Sequence, residues 1–581
     1  MTFLNPKINL KKYWKKKIDT LIWQKKPNKI IEKKNNRLIW FPDGKLNVYE
    51  NCIANRLNEK KPCIIFVDQN NKILKLTAKE IDYKVNYLSN KIIKLLGKNF
   101  RNKKIIIHSS ASLLSTISIL ACCKLGIHFS VVFEDLEEKA ILNRINLFKP
   151  SLIISRQIKK NFFIKFKKIK LIKRMKFLFL NEINFNIKTK IIIPSYKNNS
   201  DRNLFTLFTS GSTGQPKGIV NSSGGYLMYS KFTTHKQFGV NKKTIFLTAS
   251  DAGWINGHTY SLFGPLTLGA TTIILESPML LLRKEILMSI IKLKVSIIYL
   301  PVTLIRLMKS IYVNFKINTK DLKTLGSMGE PLAPSVAKWY SNFFSLGKKS
   351  IINTYFQTET GGIVSSPNFK ETVKNSPHGS VGKPVSKFIN FNNLNSKKPI
   401  EINIKDTWPG IMKGVINGQN FFKNYFNKQG NFRLFDLATK YKNNIYIHGR
   451  VDDVINIRGH RIGSAELEAI VLKNKNIKEC SAISIKDELE GGSFVLFIVG
   501  KEKKINEYGV KKSIFSSFGS FALPKKIFYI ENLPKTRSGK ILRRVLRDIY
   551  ENPKKNNLKD LSTILDKSVI EKIKFKILNA R

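Results

Sequence analysis

Residues 209–218 read TSGSTGQPKG, a run of hydroxyls and glycines closed by a proline–lysine pair. The preceding segment, Leu204 to Phe208, is apolar and β-prone, which places the run on a loop leaving a strand. Glycines let backbone N–H groups close on an anion, Ser and Thr hydroxyls add donors, and a lysine adds charge. Thr209, Ser210, Gly211, Ser212, Thr213, Gly214 and Lys217 are therefore candidates for a polyphosphate cradle. No GxxxxGK(S/T) can be drawn through the run, so it is not a Walker A loop. Taken alone, the string also fits a solvated Gly/Ser/Thr loop.

Three more segments decide between these readings: GEP at 329–331 with YFQTETGG at 355–362, GRVDDVINIRGHRIGSAELEAIV at 449–471, and LPKTRSGKILRR at 533–544. In order and spacing, the four resemble the signature segments of the adenylate-forming enzymes, which include acyl-CoA synthetases, luciferases and carrier-loading adenylation domains. Finer features resemble the acetyl-CoA synthetases and their propionyl relatives. These are WFPDGKLNVYENC at 40–52, CKLGIHFSVVF at 123–133, GGYLMY at 224–229, DAGWINGHTY at 251–260 and LSTILDKSVIEKI at 561–573. The resemblance covers nearly the whole chain.

It implies ATP-dependent ligation of acetate to coenzyme A through acetyl-AMP, releasing AMP and pyrophosphate, with propionate as the alternative acid. Carboxylate oxygen is a poor leaving group, and the mixed anhydride solves that problem. Most of the work is then positioning and electrostatics. A carrier-loading domain and a non-catalytic paralogue are the rival readings. No carrier segment follows Arg581, and the phosphate loop, Glu359 and Lys540 are all present.

The resemblance assigns roles position by position. Gly211, Ser212, Thr213, Gly214 and Lys217 cradle the β- and γ-phosphates, while Gly329, Glu330 and Pro331 line the adenine through backbone contacts. The run Asn353, Thr354, Tyr355, Phe356, Gln357 completes the nucleotide site; Thr358 holds the α-phosphate and Glu359 the magnesium. Asp436 accepts the ribose hydroxyls, Arg450 touches ribose or phosphate, and Arg461 the phosphates. Lys540 bridges carboxylate and α-phosphate, and Asp452 is the hinge about which a small domain alternates between two half-reactions. Acylation of Lys540 would delete its charge, so a lysine deacylase is an expected partner.

Some positions depart from the family pattern. Phe356 stands where acetate enzymes have tryptophan, and Met328 where a smaller aliphatic residue is usual; with Ile255 and Asn256 they make the acid pocket. Phe435 replaces a glycine before Asp436. Phe515 replaces a basic CoA contact, which leaves Asn256, Arg458, Lys511 and Lys512 as candidates on the CoA path.

These residues need an α/β scaffold. From about 60 to 450, short β-branched runs alternate with helical patterns; Lys104–His108, Leu152–Ser155, Thr271–Leu275 and Ser296–Leu300 read as strands. The expected architecture is a large N-terminal domain of layered β-sheets and helices (1–450) and a small mobile α+β domain (451–550). A basic tail, 551–581, ends in a short amphipathic helix. The small domain reads as strand Asp452–Ile457, helix Ser464–Leu472 and a strand near Ser481–Ile485. Leu113 to Phe133 contains Lys124 and His128, and reads as a helix entering a buried strand rather than a membrane span.

With 581 residues the chain is too long for one core, and 42% hydrophobic against 24% charged residues excludes a disordered protein. The formal charge of +62 is spread along the whole length, and Lys, Asn, Ile and Phe are over-used together. That pattern reads as compositional drift in an A+T-biased genome, with no dedicated nucleic-acid or membrane partner. Five scattered cysteines and the absence of a signal-peptide core point to reduced thiols in a cytoplasmic protein.

Overall fold

The computed structural model describes residues 8–580, apart from 35–36, 135, 137, 167–174, 182–190, 210–215, 392–393, 395–398, 417–420, 452–453, 458–459, 486–492, 501–504, 519–521, 537–538, 555–560 and 562–563. Two seven-stranded sheets form the frame of the N-terminal part. The first runs, from one edge to the other, Gly414–Val415, Lys217–Ser222, Asn203–Thr209, His128–Val132, Lys104–His108, Leu152–Arg156, Lys176–Leu180. The second runs Ile352–Asn353, Thr324–Met328, Ile297–Pro301, Ile245–Thr248, Thr271–Leu275, Pro62–Val67, Ile73–Thr77. Six strands of the second sheet are mutually parallel, and only Ile73–Thr77 runs against its neighbour.

Strands buried on both faces have no polar alternation, and TTIIL at 271–275 is buried at every residue. The predicted strands fall at these places, with Leu152–Arg156 one residue longer at its end and Ile297–Pro301 displaced by one residue along the chain. Leu113–Leu125 is a helix buried along its whole length, started by a Ser112/Ser115 capping box, and it leads into strand His128–Val132. Among the described residues no helix is long and apolar enough to cross a membrane. A three-stranded antiparallel sheet, Ile400–Ile404, Phe432–Tyr441 and Asn444–Arg450, follows the second sheet in sequence.

Past Arg450 the architecture changes. A hairpin, Val454–Ile457 with His460–Gly463, precedes helix Ser464–Val471 and a sheet of Ile477–Ile485, Ser493–Gly500 and Lys526–Tyr529. Helices Glu507–Phe518, Arg543–Glu551 and Ser568–Leu578 complete this part.

The segment after 551 is more than a tail. In helix Ser568–Leu578, Ile570, Ile573 and Ile577 recur at helical spacing and are buried in one cluster with Phe497, Phe528 and Leu546. This is the amphipathic helix expected at the end of the basic tail, with its apolar stripe turned to the small domain's core. Ile573 is 1% exposed, so Ile573→Ala should destabilise the small domain by about 2–4 kcal/mol. Denaturant unfolding followed by a probe in that domain checks this. An unchanged midpoint would show that the helix contributes nothing to the core.

Candidate functional site

The site grows from one edge of the second sheet. Parallel pairing sets Pro301 beside Met328 and Ser327 beside Asn353, so the carboxyl ends of these strands lie together. Open α/β sheets bind ligands beyond such ends. The chain leaving this edge carries Ile255 and Asn256, Thr303 and Arg306, then Gly329–Pro331, then Thr354–Glu359. Ser327 Oγ donates to Asn353 Oδ1 at 3.1 Å, Thr354 Oγ1 donates to the Ser327 carbonyl at 2.9 Å, and Tyr299 and Thr354 share a hydroxyl contact of 2.6 Å. These bonds fix the backbone from which the remaining groups project.

Asp436 is the best-held group. The hairpin Phe432–Tyr441 with Asn444–Arg450 pairs Asp436 directly with Arg450. Tyr355 Oη and Gln357 Nε2 both donate to Asp436 Oδ2 at 2.6 Å, and Arg450 Nη1 lies 3.6 Å from Oδ1. Burial pushes the Asp436 carboxyl up; Arg450, Tyr355, Gln357 and the charge of Lys540 pull it back. Its oxygens are thus aimed, buried and able to accept hydroxyl donors.

Just before it, Phe435 sits in the left-handed region at φ 56, a conformation that favours glycine. Its ring packs edge-on against Tyr425 with centroids 5.8 Å apart, and the Arg433 guanidinium lies 4.5 Å from its centroid.

The short helix Thr358–Thr360 begins at Gln357, whose side chain takes part in a capping box with Thr360. Gly361 ends it at φ 68, where a Cβ would lie 2.1 Å from the Gly410 carbonyl oxygen. Thr358 is buried, and the half-buried Glu359 receives a hydrogen bond from Tyr425 Oη at 3.3 Å. Lys217 opens strand Lys217–Ser222, and its Nζ lies 5.5 Å from the Tyr425 ring centroid. Tyr425 therefore joins Lys217 to the Glu359 carboxylate. Among the described residues no three His, Cys, Asp or Glu cluster as a metal site. A single carboxylate with spare oxygen capacity still suits magnesium, which is usually held by one or two carboxylates, substrate phosphates and water.

Of the predicted acid-pocket residues, Ile255 and Met328 belong to one core cluster, with half-buried Phe356 packed on it. Phe356 meets Tyr260 edge-on, with centroids 5.5 Å apart. The Asn256 Oδ1 is buried without a hydrogen-bond partner among the described residues, an acceptor open to a ligand donor. His258 in the same motif is a core group: burial lowers its pKa to about 4, and its ring stacks on Phe129.

Lys540 lies exposed on its loop, with its N–H bonded to Thr536 Oγ1 at 3.1 Å. The next residue crosses between domains, as the Ile541 N–H donates to Glu330 Oε1 at 3.3 Å. The structure therefore brings together Gly329, Glu330, Pro331, the 353–359 run, Asp436, Arg450 and Lys540 around one edge, while Thr209 and Lys217 pair on the first sheet and reach Glu359 through Tyr425. Ser210, Gly211, Ser212, Thr213, Gly214, Asp452 and Arg458 lie outside the described residues, as does the side chain of Arg461. Lys511 pairs with Glu507 on its own helix at 2.8 Å, and Phe515 is exposed.

Tyr425, Tyr260 and Arg306 were not singled out from the sequence. Tyr260 lies inside a quoted motif, and that was its only signal. Tyr425 sits in FFKNYF at 421–426, where aromatic residues are too common to mark one.

Family models match in the same order as these elements: the acetyl-coenzyme A synthetase N-terminus over 7–52, AMP-binding enzyme over 53–397, and the AMP-binding enzyme C-terminal domain over 466–540. Acetyl-coenzyme A synthetase of Coprinopsis cinerea is 31% identical over 98% of this chain and 93% of its own length. That of Leptospira biflexa is 32% identical over 97% and 93%, and that of Helicobacter pylori 31% identical over 95% and 91%. The fold matches the acetoacetyl-CoA synthetase of Streptomyces lividans with TM-score 0.81 at 16% identity, covering 99% of this chain and 93% of that one. Sequence, element order and fold agree: the chain belongs to the AMP-binding enzymes, in the acetyl-coenzyme A synthetase family.

Proposed function

We propose that the protein joins acetate to coenzyme A in two steps on the edge described above, with propionate as the nearest competing acid. An acetate oxygen attacks the α-phosphorus of ATP, the bond to the bridging oxygen breaks, and pyrophosphate leaves. The CoA sulfur then attacks the carbonyl of acetyl-AMP, AMP departs, and the thiol proton passes to solvent. The observation that carries this reading is the docking of the Lys540 loop onto the GEP edge, close enough for the Lys540 charge to act on buried Asp436.

Each group has a physical task. Asp436 orients the ribose by accepting its hydroxyls, and the Gly329–Pro331 backbone lies along the adenine. Lys217 and the loop from Thr209 to Gly214 offset triphosphate charge, while Thr358 and Arg450 fix the α-phosphate, with Arg461 on the phosphate side. Magnesium at Glu359 would neutralise phosphate charge when bound. Lys540 places its ammonium where negative charge accumulates during transfer, an interaction made chiefly in the transition state. Asp452 is the hinge on which the small domain reopens for CoA, whose path passes Asn256 and Arg458. The Lys540 side chain is exposed, which leaves it open to reversible acylation and to a deacylase.

Lys540→Ala should reduce acetate-dependent pyrophosphate release at least about a hundredfold. Thioester formation from supplied acetyl-AMP should persist. Equal loss in both assays would remove Lys540 from this role.

Phe356 is smaller than the tryptophan it replaces, and one methylene in an apolar pocket is worth only about 1–3 kcal/mol. Acetate should therefore lead, with propionate close behind and butyrate clearly worse. Phe356→Trp should widen the preference for acetate, and Phe356→Gly should admit longer acids, read as kcat/KM across an acid series. A hexanoate value above that for acetate in the unmodified protein would show the pocket is misassigned.

A further inference from the structure

We infer that Arg306 and Glu330 form a latch that holds the small domain in the orientation presenting Lys540, so that this pair sets how readily the first half-reaction begins. The inference rests on the two-step reading above and assigns a task to side chains that the reading leaves unused. Glu330 lies in the adenine-lining GEP segment, but its role there is a backbone one.

The Glu330 side chain is 10% exposed, and both of its oxygens are engaged. Oε2 takes Arg306 Nη1 at 3.0 Å, and Oε1 accepts the Ile541 N–H at 3.3 Å across the domain boundary. Arg306 thus aims one oxygen by holding the other, in a charge-assisted bond of useful directionality.

A second contact lies one helical turn away. Thr303 and Arg306 are both on helix Val302–Ile311, three residues apart and so on one face. Gly539 presses on Thr303: a Cβ there would lie 2.3 Å from Thr303 Oγ1, and its φ of 82 already favours glycine. The same helix touches strand Ile477–Ile485, and Ala469 of the small domain packs against the N-terminal core. Apart from the Arg306–Glu330 bond itself, these contacts cross the boundary, so they exist only while the domains are docked this way. Withdrawing Lys540 must break the Ile541 bond and lift Gly539 from Thr303.

Arg306→Met keeps a long apolar stem and removes the aiming charge. Acid-dependent ATP–pyrophosphate exchange should fall about tenfold, the scale expected when a two-state equilibrium loses one charge-assisted contact. Thioester formation from supplied acetyl-AMP should keep its unmodified rate, and Arg306→Lys should recover part of the exchange. Amide hydrogen exchange at Ile541 in the substrate-free protein should quicken in Arg306→Met. Gly539→Ala, which attacks the neighbouring contact from the other domain, should give the same split. Equal loss of both half-reactions in Arg306→Met, or unchanged protection of Ile541, would overturn the latch. If the unmodified protein released no pyrophosphate with any short acid, the reaction reading would fail, while Ile541 protection would still decide whether the latch exists.

Discussion

Parallel strand pairing is the constraint on which the rest depends. Strands that run the same way must all end at the same edge, and every return must cross the sheet elsewhere. In this chain Thr248, Pro301, Met328 and Asn353 end neighbouring strands, and the segments after them have no choice but to meet. Segments far apart in sequence, those carrying Asn256, Arg306, Glu330 and Phe356, therefore leave the sheet at the same edge. The antiparallel hairpin adds a further buried carboxylate by placing Asp436 opposite Arg450.

Burial of Asp436 sets a second balance. A carboxylate far from water is costly unless its oxygens are bonded and a cation is near. Tyr355, Gln357 and Arg450 meet that requirement, and the Lys540 charge adds to it from the other domain. Docking of the small domain and ionisation of Asp436 therefore favour one another. Phe435 shows how much disturbance the arrangement absorbs, since a side chain occupies a backbone conformation suited to glycine one residue away.

The chemistry was more legible in the sequence than the support for it. Short motifs carried the phosphate loop, the GEP and TETGG segments and Lys540, because each combines residue types that rarely coincide. The strand at Thr271–Leu275 was readable because a run of β-branched residues has few other uses. Arg306 was not readable: one arginine on an amphipathic helix has the same local appearance whether it faces water or another domain. Tyr425 was hidden by the abundance of aromatic residues around it. The last helix was legible as amphipathic, but nothing in its own residues named the distant sheet that its isoleucine stripe covers.

The five cysteines give the molecule an internal chronometer. Cys52, Cys63, Cys122 and Cys123 are all buried in the N-terminal part, while Cys480 is buried in the small domain. Burial pushes the Cys52 and Cys63 thiols up to about 12, so almost no thiolate exists near neutrality even if a reagent arrives. Alkylation must wait for the surrounding structure to open, and its rate then counts opening events. Because four thiols belong to one core and one to the other, labelling followed by peptide mass would time the breathing of each domain separately, in the unaltered chain and without an added probe.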